Sequence, residues 1–146
     1  MLTIAELPAD LFSAAVALWD TTGLTRPWND ADADLRRAIS GPASTVLAAR
    51  SAEGLLLGTA MVGHDGHRGW VYYLAVQPTA QNQGIGRALM GACEEWVAAR
   101  GIPKIQLMVR RDNTGVVAFY ETLGYSVADA IVLGRPLTPR GSHDTA

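Results

Sequence analysis

Two glycines one residue apart, Gly84 and Gly86, stand between the most strand-like and the most helix-like stretches of the chain. Upstream, Trp70–Val76 is aromatic and β-branched, the composition of a half-buried strand. Downstream, Ile85, Leu89, Ala92, Cys93, Trp96 and Val97 share one helical stripe, which Gly101 and Pro103 bring to an end. A strand that turns through Gly-x-Gly into a helix lets its backbone approach a ligand closely and leaves the first N–H groups of the helix without partners. With the helix dipole behind them, those donors suit a phosphate or pyrophosphate. Two common phosphate loops do not fit: Gly-Lys-Ser/Thr is absent, and Leu89 stands where a dinucleotide fingerprint requires Gly or Ala.

The rest of the chain alternates short strand-like runs with amphipathic helices. Leu2–Ala5 reads as an edge strand. Pro8 opens a helix whose apolar positions Leu11, Ala14, Ala15 and Leu18 end at Gly23. After a polar stretch, Thr25-Arg-Pro-Trp-Asn-Asp30, a second helix runs through Leu35 and Ile39 to Gly41. Ser44–Arg50 and Leu55–Val62 form a hairpin about Ser51-Ala-Glu-Gly54, and Asp65-Gly66 begins another tight turn. Ile105–Val109 is a further strand. Asp112-Asn113 precedes a helix with Val116, Val117, Phe119, Tyr120 and Leu123 on its apolar face and Gly124 as its stop. Tyr125–Leu137 reads as one or two closing strands. Strands grouped in mid-sequence with helices inserted among them indicate an α/β or α+β domain on a mixed sheet.

Composition narrows the function. With 146 residues, 49% hydrophobic and 18% charged, one globular domain over 1–137 is expected, followed by a loose tail over 138–146. Twelve basic residues against fourteen acidic leave a net charge of −2, which disfavours a nucleic-acid partner bound through many phosphates. No stretch approaches the ~18 consecutive apolar residues of a membrane span, so no membrane partner is expected. The single cysteine, Cys93, forms neither an internal disulfide nor a structural zinc site, and a reducing, cytoplasmic setting follows. His64 and His67 flank a turn with only His143 elsewhere, so no metal is expected.

The loop Val76-Gln-Pro-Thr-Ala-Gln81-Asn-Gln-Gly84-Ile-Gly86-Arg87 satisfies the Arg/Gln-x-x-Gly-x-Gly/Ala pattern through Gln81, Gly84 and Gly86. It resembles the pyrophosphate loop of the GNAT superfamily, the acetyl-coenzyme A-dependent N-acetyltransferases. A second block, Asn113-Thr-Gly-Val-Val-Ala-Phe-Tyr120-Glu-Thr-Leu-Gly124-Tyr125, is similar to that superfamily's Asn-x-x-Ala-x-x-Phe/Leu-Tyr-x-x-x-Gly-Phe/Tyr segment, with Val116 where Ala is commonest. The segments around Leu24–Asp30, Gly63–Gly69 with Tyr72-Tyr73, and Arg100–Gln106 resemble the bacterial YpeA-type branch. The resemblance implies six to seven strands in a mixed, mostly antiparallel sheet, splayed in a V between its central parallel strands and flanked by about four helices. Those parallel strands would be Trp70–Val76 and Ile105–Val109.

It also implies roles. Backbone groups of Leu74, Ala75 and Val76 would pair with the pantetheine arm of acetyl-coenzyme A, leaving an N–H near the thioester oxygen. Gln81, Asn82, Gln83, Gly84, Ile85, Gly86 and Arg87 would hold the pyrophosphate, Asn113 would bond the pantetheine arm, and Tyr120 would offer its hydroxyl to the sulfur as general acid. Trp28, Asn29, Asp30 and Tyr72 fall on the acceptor side. The acceptor would be a primary amine, on a small metabolite or on a protein, and the enzyme a monomer or homodimer. Many members carry an acidic residue on a central strand to receive the amine's proton; Trp70 and Met108 occupy those positions here, leaving Asp30, Asp65, His64, His67 and Tyr72 as candidates. An idle acyl-coenzyme A-binding sensor is the alternative. Tyr120 and Cys93 also fit a plain core, and Asn113 and Asp30 fit helix capping.

Overall fold

The structure, a computed structural model, describes residues 1–138. The expected tail therefore lies almost wholly outside the described residues. The chain divides into two compact units, Met1–Thr25 with Ala31–Met108, and Arg26–Asp30 with the chain from Val109 onward.

The larger unit is built on a five-stranded sheet in the order β1-β2-β3-β4-β5: Thr3–Glu6, Ser44–Arg50, Leu56–His64, Gly69–Val76 and Ile105–Leu107. The first four strands pair antiparallel, and β5 joins β4 in parallel. After a 3-10 turn at Ala9–Leu11, α1 runs Phe12–Thr21, and α2 follows over Ala31–Ser40. These two helices bury Ala15, Leu18 and Trp19, and Ala31, Leu35 and Ala38, against Val46, Ala48 and Ala75 of the sheet. Trp19 and Leu35 are wholly sealed from solvent.

The longest helix, α3 (Ile85–Ala99), covers the opposite face. A Cβ at Gly58 would lie 3.0 Å from Leu89 and one at Gly69 2.6 Å from Val97, so both glycines sit where strand and helix backbones approach closely. Among the described residues no helix is long and apolar enough to cross a membrane.

The smaller unit holds α4, Thr114–Thr122. The closing strands expected over Tyr125–Leu137 are not there. Val127, Ile131, Val132 and Leu133 are largely exposed, and none of that segment has a ladder partner. Apolar and β-branched composition gives only a preference; a strand exists when another strand accepts its N–H and C=O groups. The mixed α/β architecture stands, with five strands among the described residues instead of six to seven.

Candidate active site

β4 is irregular where it matters. On one side, its pairing with β5 covers only Gly69–Val71 against Ile105–Leu107. On the other, Thr59 faces Ala75 while Met61 faces Tyr72, so Tyr73 and Leu74 together oppose the single residue Ala60. That is a β-bulge, and Tyr73 takes a left-handed φ of +54° to make it. Gly69 and Val71 share the face turned to α3, and period-two alternation would send Tyr73 after them. The extra residue instead brings the Tyr73 ring against Trp19 of α1, centroids 4.0 Å apart and nearly parallel. Past the bulge, Leu74, Ala75 and Val76 run with no strand beside them on the β5 side among the described residues.

A short 3-10 turn, Pro78–Ala80, leads on to the glycine loop. Asn82 has φ +63° and Gly84 φ +81°, so the chain winds left-handed twice before α3 begins. Gly84 precedes the helix without any side-chain cap, and the first intrahelical bond there is from Ala88 N–H to the Gly84 carbonyl. The N–H groups between them are the free donors expected at a helix start. Gln81, Asn82, Gln83, Gly84 and Arg87 are exposed, Gly86 is half-buried, and Ile85 roots the turn in the core.

In the smaller unit, Asn113 sits just before α4 and its side chain makes no cap hydrogen bond, so the side-chain capping reading fails. Tyr120 is buried, in edge-to-face contact with Phe119 and Tyr125 at centroid distances of 5.1 and 5.8 Å. Trp28, Asn29 and Asp30 belong to this unit as well, whereas Tyr72 lies exposed on β4 of the larger one.

Several titratable groups are already committed. Asp65 accepts from the Arg68 and His67 N–H groups through Oδ1 and from Trp70 Nε1 through Oδ2, which holds its carboxyl at about 2. It is a turn anchor and a weak proton acceptor. His64 Nδ1 accepts from the Gly66 N–H in the same turn. The partial burial of its ring raises the Tyr72 phenol even though much of the side chain is exposed, helped by the nearby Asp65 charge. Burial likewise pushes the Cys93 thiol up to about 12, so it is a core residue and no nucleophile at neutral pH.

The sequence profile of the acetyltransferase (GNAT) family matches residues 12–125. The chain belongs to the GNAT acetyltransferase family. An acetyltransferase of Pectobacterium atrosepticum is 44% identical over 128 residues, 88% of this chain and 90% of that protein. GNAT-fold structures superpose along nearly the whole chain. An aminoglycoside N-acetyltransferase in complex with coenzyme A aligns over 94% of this chain and 96% of its own, at TM-score 0.80 and 15% identity. The Escherichia coli ribosomal-protein-S18-alanine N-acetyltransferase aligns over 88% and 79%, at TM-score 0.73 and 23% identity. At such identities the likeness concerns the fold. Sequence reasoning missed the bulge at Tyr73, with Thr59 behind it, immediately before Leu74–Val76. Positive φ is ordinarily signalled by glycine, and no glycine marks it here.

Proposed function

We propose that this GNAT acetyltransferase moves an acetyl group from acetyl-coenzyme A to a primary amine by direct attack, with both substrates bound together. The observation that carries the reading is the end of the β4–β5 ladder at Val71 and Leu107, just before Leu74–Val76. A pantetheine arm contains amide groups and pairs with an open strand edge as another strand would. The helix start 84–87, with Gln81, Asn82 and Gln83 ahead of it, is suited to the pyrophosphate by its free N–H groups and dipole. Acetyl-coenzyme A supplies the thioester whose carbonyl the amine attacks.

The residues divide the remaining work. A preorganised N–H from Leu74–Val76 stabilises negative charge developing on the carbonyl oxygen. Asn113 holds the pantetheine arm, and Tyr120 gives its proton to the departing sulfur. Proton donation from a phenol to a departing thiolate lies within the reach of general acid catalysis. The high thiol pKa at Cys93 disfavours an acyl-enzyme there. Trp28, Asn29, Asp30 and Tyr72 are assigned to the acceptor, which attacks as the neutral amine. The proton its nitrogen sheds as the amide forms goes to solvent, and Tyr120 regains from solvent the one it gave to the sulfur. The acceptor is a small metabolite or a protein amine, and both kinds appear in the names of the similar enzymes.

The test is a panel of aminoglycosides, polyamines, amino-acid amides and peptides, followed by release of free thiol. Steady coenzyme A release with at least one class is expected. Coenzyme binding with no turnover across the panel would leave an acyl-coenzyme A-binding module instead.

A further inference from the structure

Tyr73 holds a backbone conformation that L-residues with large side chains seldom adopt, and it does so in mid-strand. Its surroundings show how. The Tyr73 carbonyl accepts a hydrogen bond from Thr59 Oγ1 at 3.0 Å, a side chain standing in for a ladder rung. Thr59 has no exposed surface. Its oxygen in turn accepts from Trp19 Nε1 at 2.7 Å. An indole nitrogen only donates, and a hydroxyl has one proton. The direction of the chain is therefore fixed, from Trp19 to Thr59 to the Tyr73 carbonyl. Tyr73 is also held by its ring, stacked on Trp19, and by its hydroxyl, which donates to Asp34 Oδ2 at 2.8 Å. The other oxygen of Asp34 pairs with Arg37 at 2.7 Å.

A buried strand position asks for no hydroxyl. Valine has the same shape, and burying a polar oxygen is unfavourable unless it is fully bonded. Here both bonds of the oxygen serve the bulge. We propose that Thr59 is a positioning residue for acyl transfer: its hydroxyl fixes the bulge at Tyr73, and the bulge aims the N–H groups of Leu74–Val76. The inference rests on the reading above, in which those groups hold the acyl arm. An N–H aimed at a developing oxyanion works only if it is held in place beforehand, and a misplacement near 1 Å is enough to lower turnover ~10²-fold.

Thr59→Val removes the hydroxyl and keeps the shape; Thr59→Ser keeps the hydroxyl. Amide spectra are recorded during titration with acetyl-coenzyme A, and kcat and KM are measured with an accepted amine below the melting temperature. In wild type, the Leu74, Ala75 and Val76 amides are expected to shift together with those of 82–87. In Thr59→Val the loop amides should shift as before while the three strand amides respond weakly, kcat falling roughly 10–100-fold with KM for acetyl-coenzyme A within about threefold. Thr59→Ser should restore both. A folded Thr59→Val whose strand amides and kcat match wild type overturns the inference. Wild-type amides at 74–76 that ignore acetyl-coenzyme A overturn the underlying reading, and the inference with it. Should Thr59→Val fail to fold, Thr59→Ala removes the same hydroxyl without placing a methyl in its position; a folded Thr59→Ala with wild-type strand response and kcat overturns the inference equally.

Discussion

At the scale of single residues, Tyr120 carries most of the proposed chemistry. Its ring is packed between Phe119 and Tyr125, so Tyr120→Phe keeps those contacts and deletes only the proton donor. General acid catalysis supplies ~10²–10⁴-fold, and steady-state kinetics should show a kcat loss on that scale with KM for acetyl-coenzyme A nearly unchanged. Retention of more than about a third of wild-type turnover, with chemistry rate-limiting, would return Tyr120 to the status of a core tyrosine. Residues of this kind are legible from spacing. The seven-residue spacing of Asn113 and Tyr120 suggests one helical face, although Asn113 stands just ahead of α4 with a non-helical backbone, and Gly84 and Gly86 announce themselves by being glycines. Thr59 and Trp19 are not legible in the same way. They are 40 residues apart, and nothing local to either says that one donates to the other.

At the scale of elements, the start of α3 is the clearest case of sequence dictating structure. The left-handed turn at Gly84 and the uncapped helix start follow from the Gly-x-Gly spacing. Gly86→Val places a branched side chain where the backbone is proposed to approach the pyrophosphate. Titration calorimetry should find coenzyme A binding weakened at least tenfold, with stability lowered by no more than about 1 kcal/mol. Wild-type affinity in the folded variant would remove the loop from the site. The helices and the first four strands were readable because each is defined by periodicity within its own stretch. β5 shrinks to Ile105–Leu107 and the stretch 125–137 forms no strand, since pairing depends on distant partners. The bulge in β4 belongs to the same class, being a mismatch between two strands.

For the molecule as a whole, binding and folding are linked. A ligand that binds only the folded state at ~100 times its dissociation constant adds roughly 2.7 kcal/mol of stability, or about 5–10 °C in a chain of this size. Thermal melts with acetyl-coenzyme A should show that shift, and equal concentrations of NAD or ATP should give much less. An equal response to either nucleotide would point to a generic phosphate site.

The hydrogen bond from Trp19 Nε1 to Thr59 also has a meaning in time. Neither residue has any exposed surface, so that one indole proton meets solvent only when α1 parts from the sheet. Its exchange is thus a clock for the rarest openings of the fold, slower than the fraying of loops and chain ends. The bond that anchors the Thr59 hydroxyl also records how seldom it lets go.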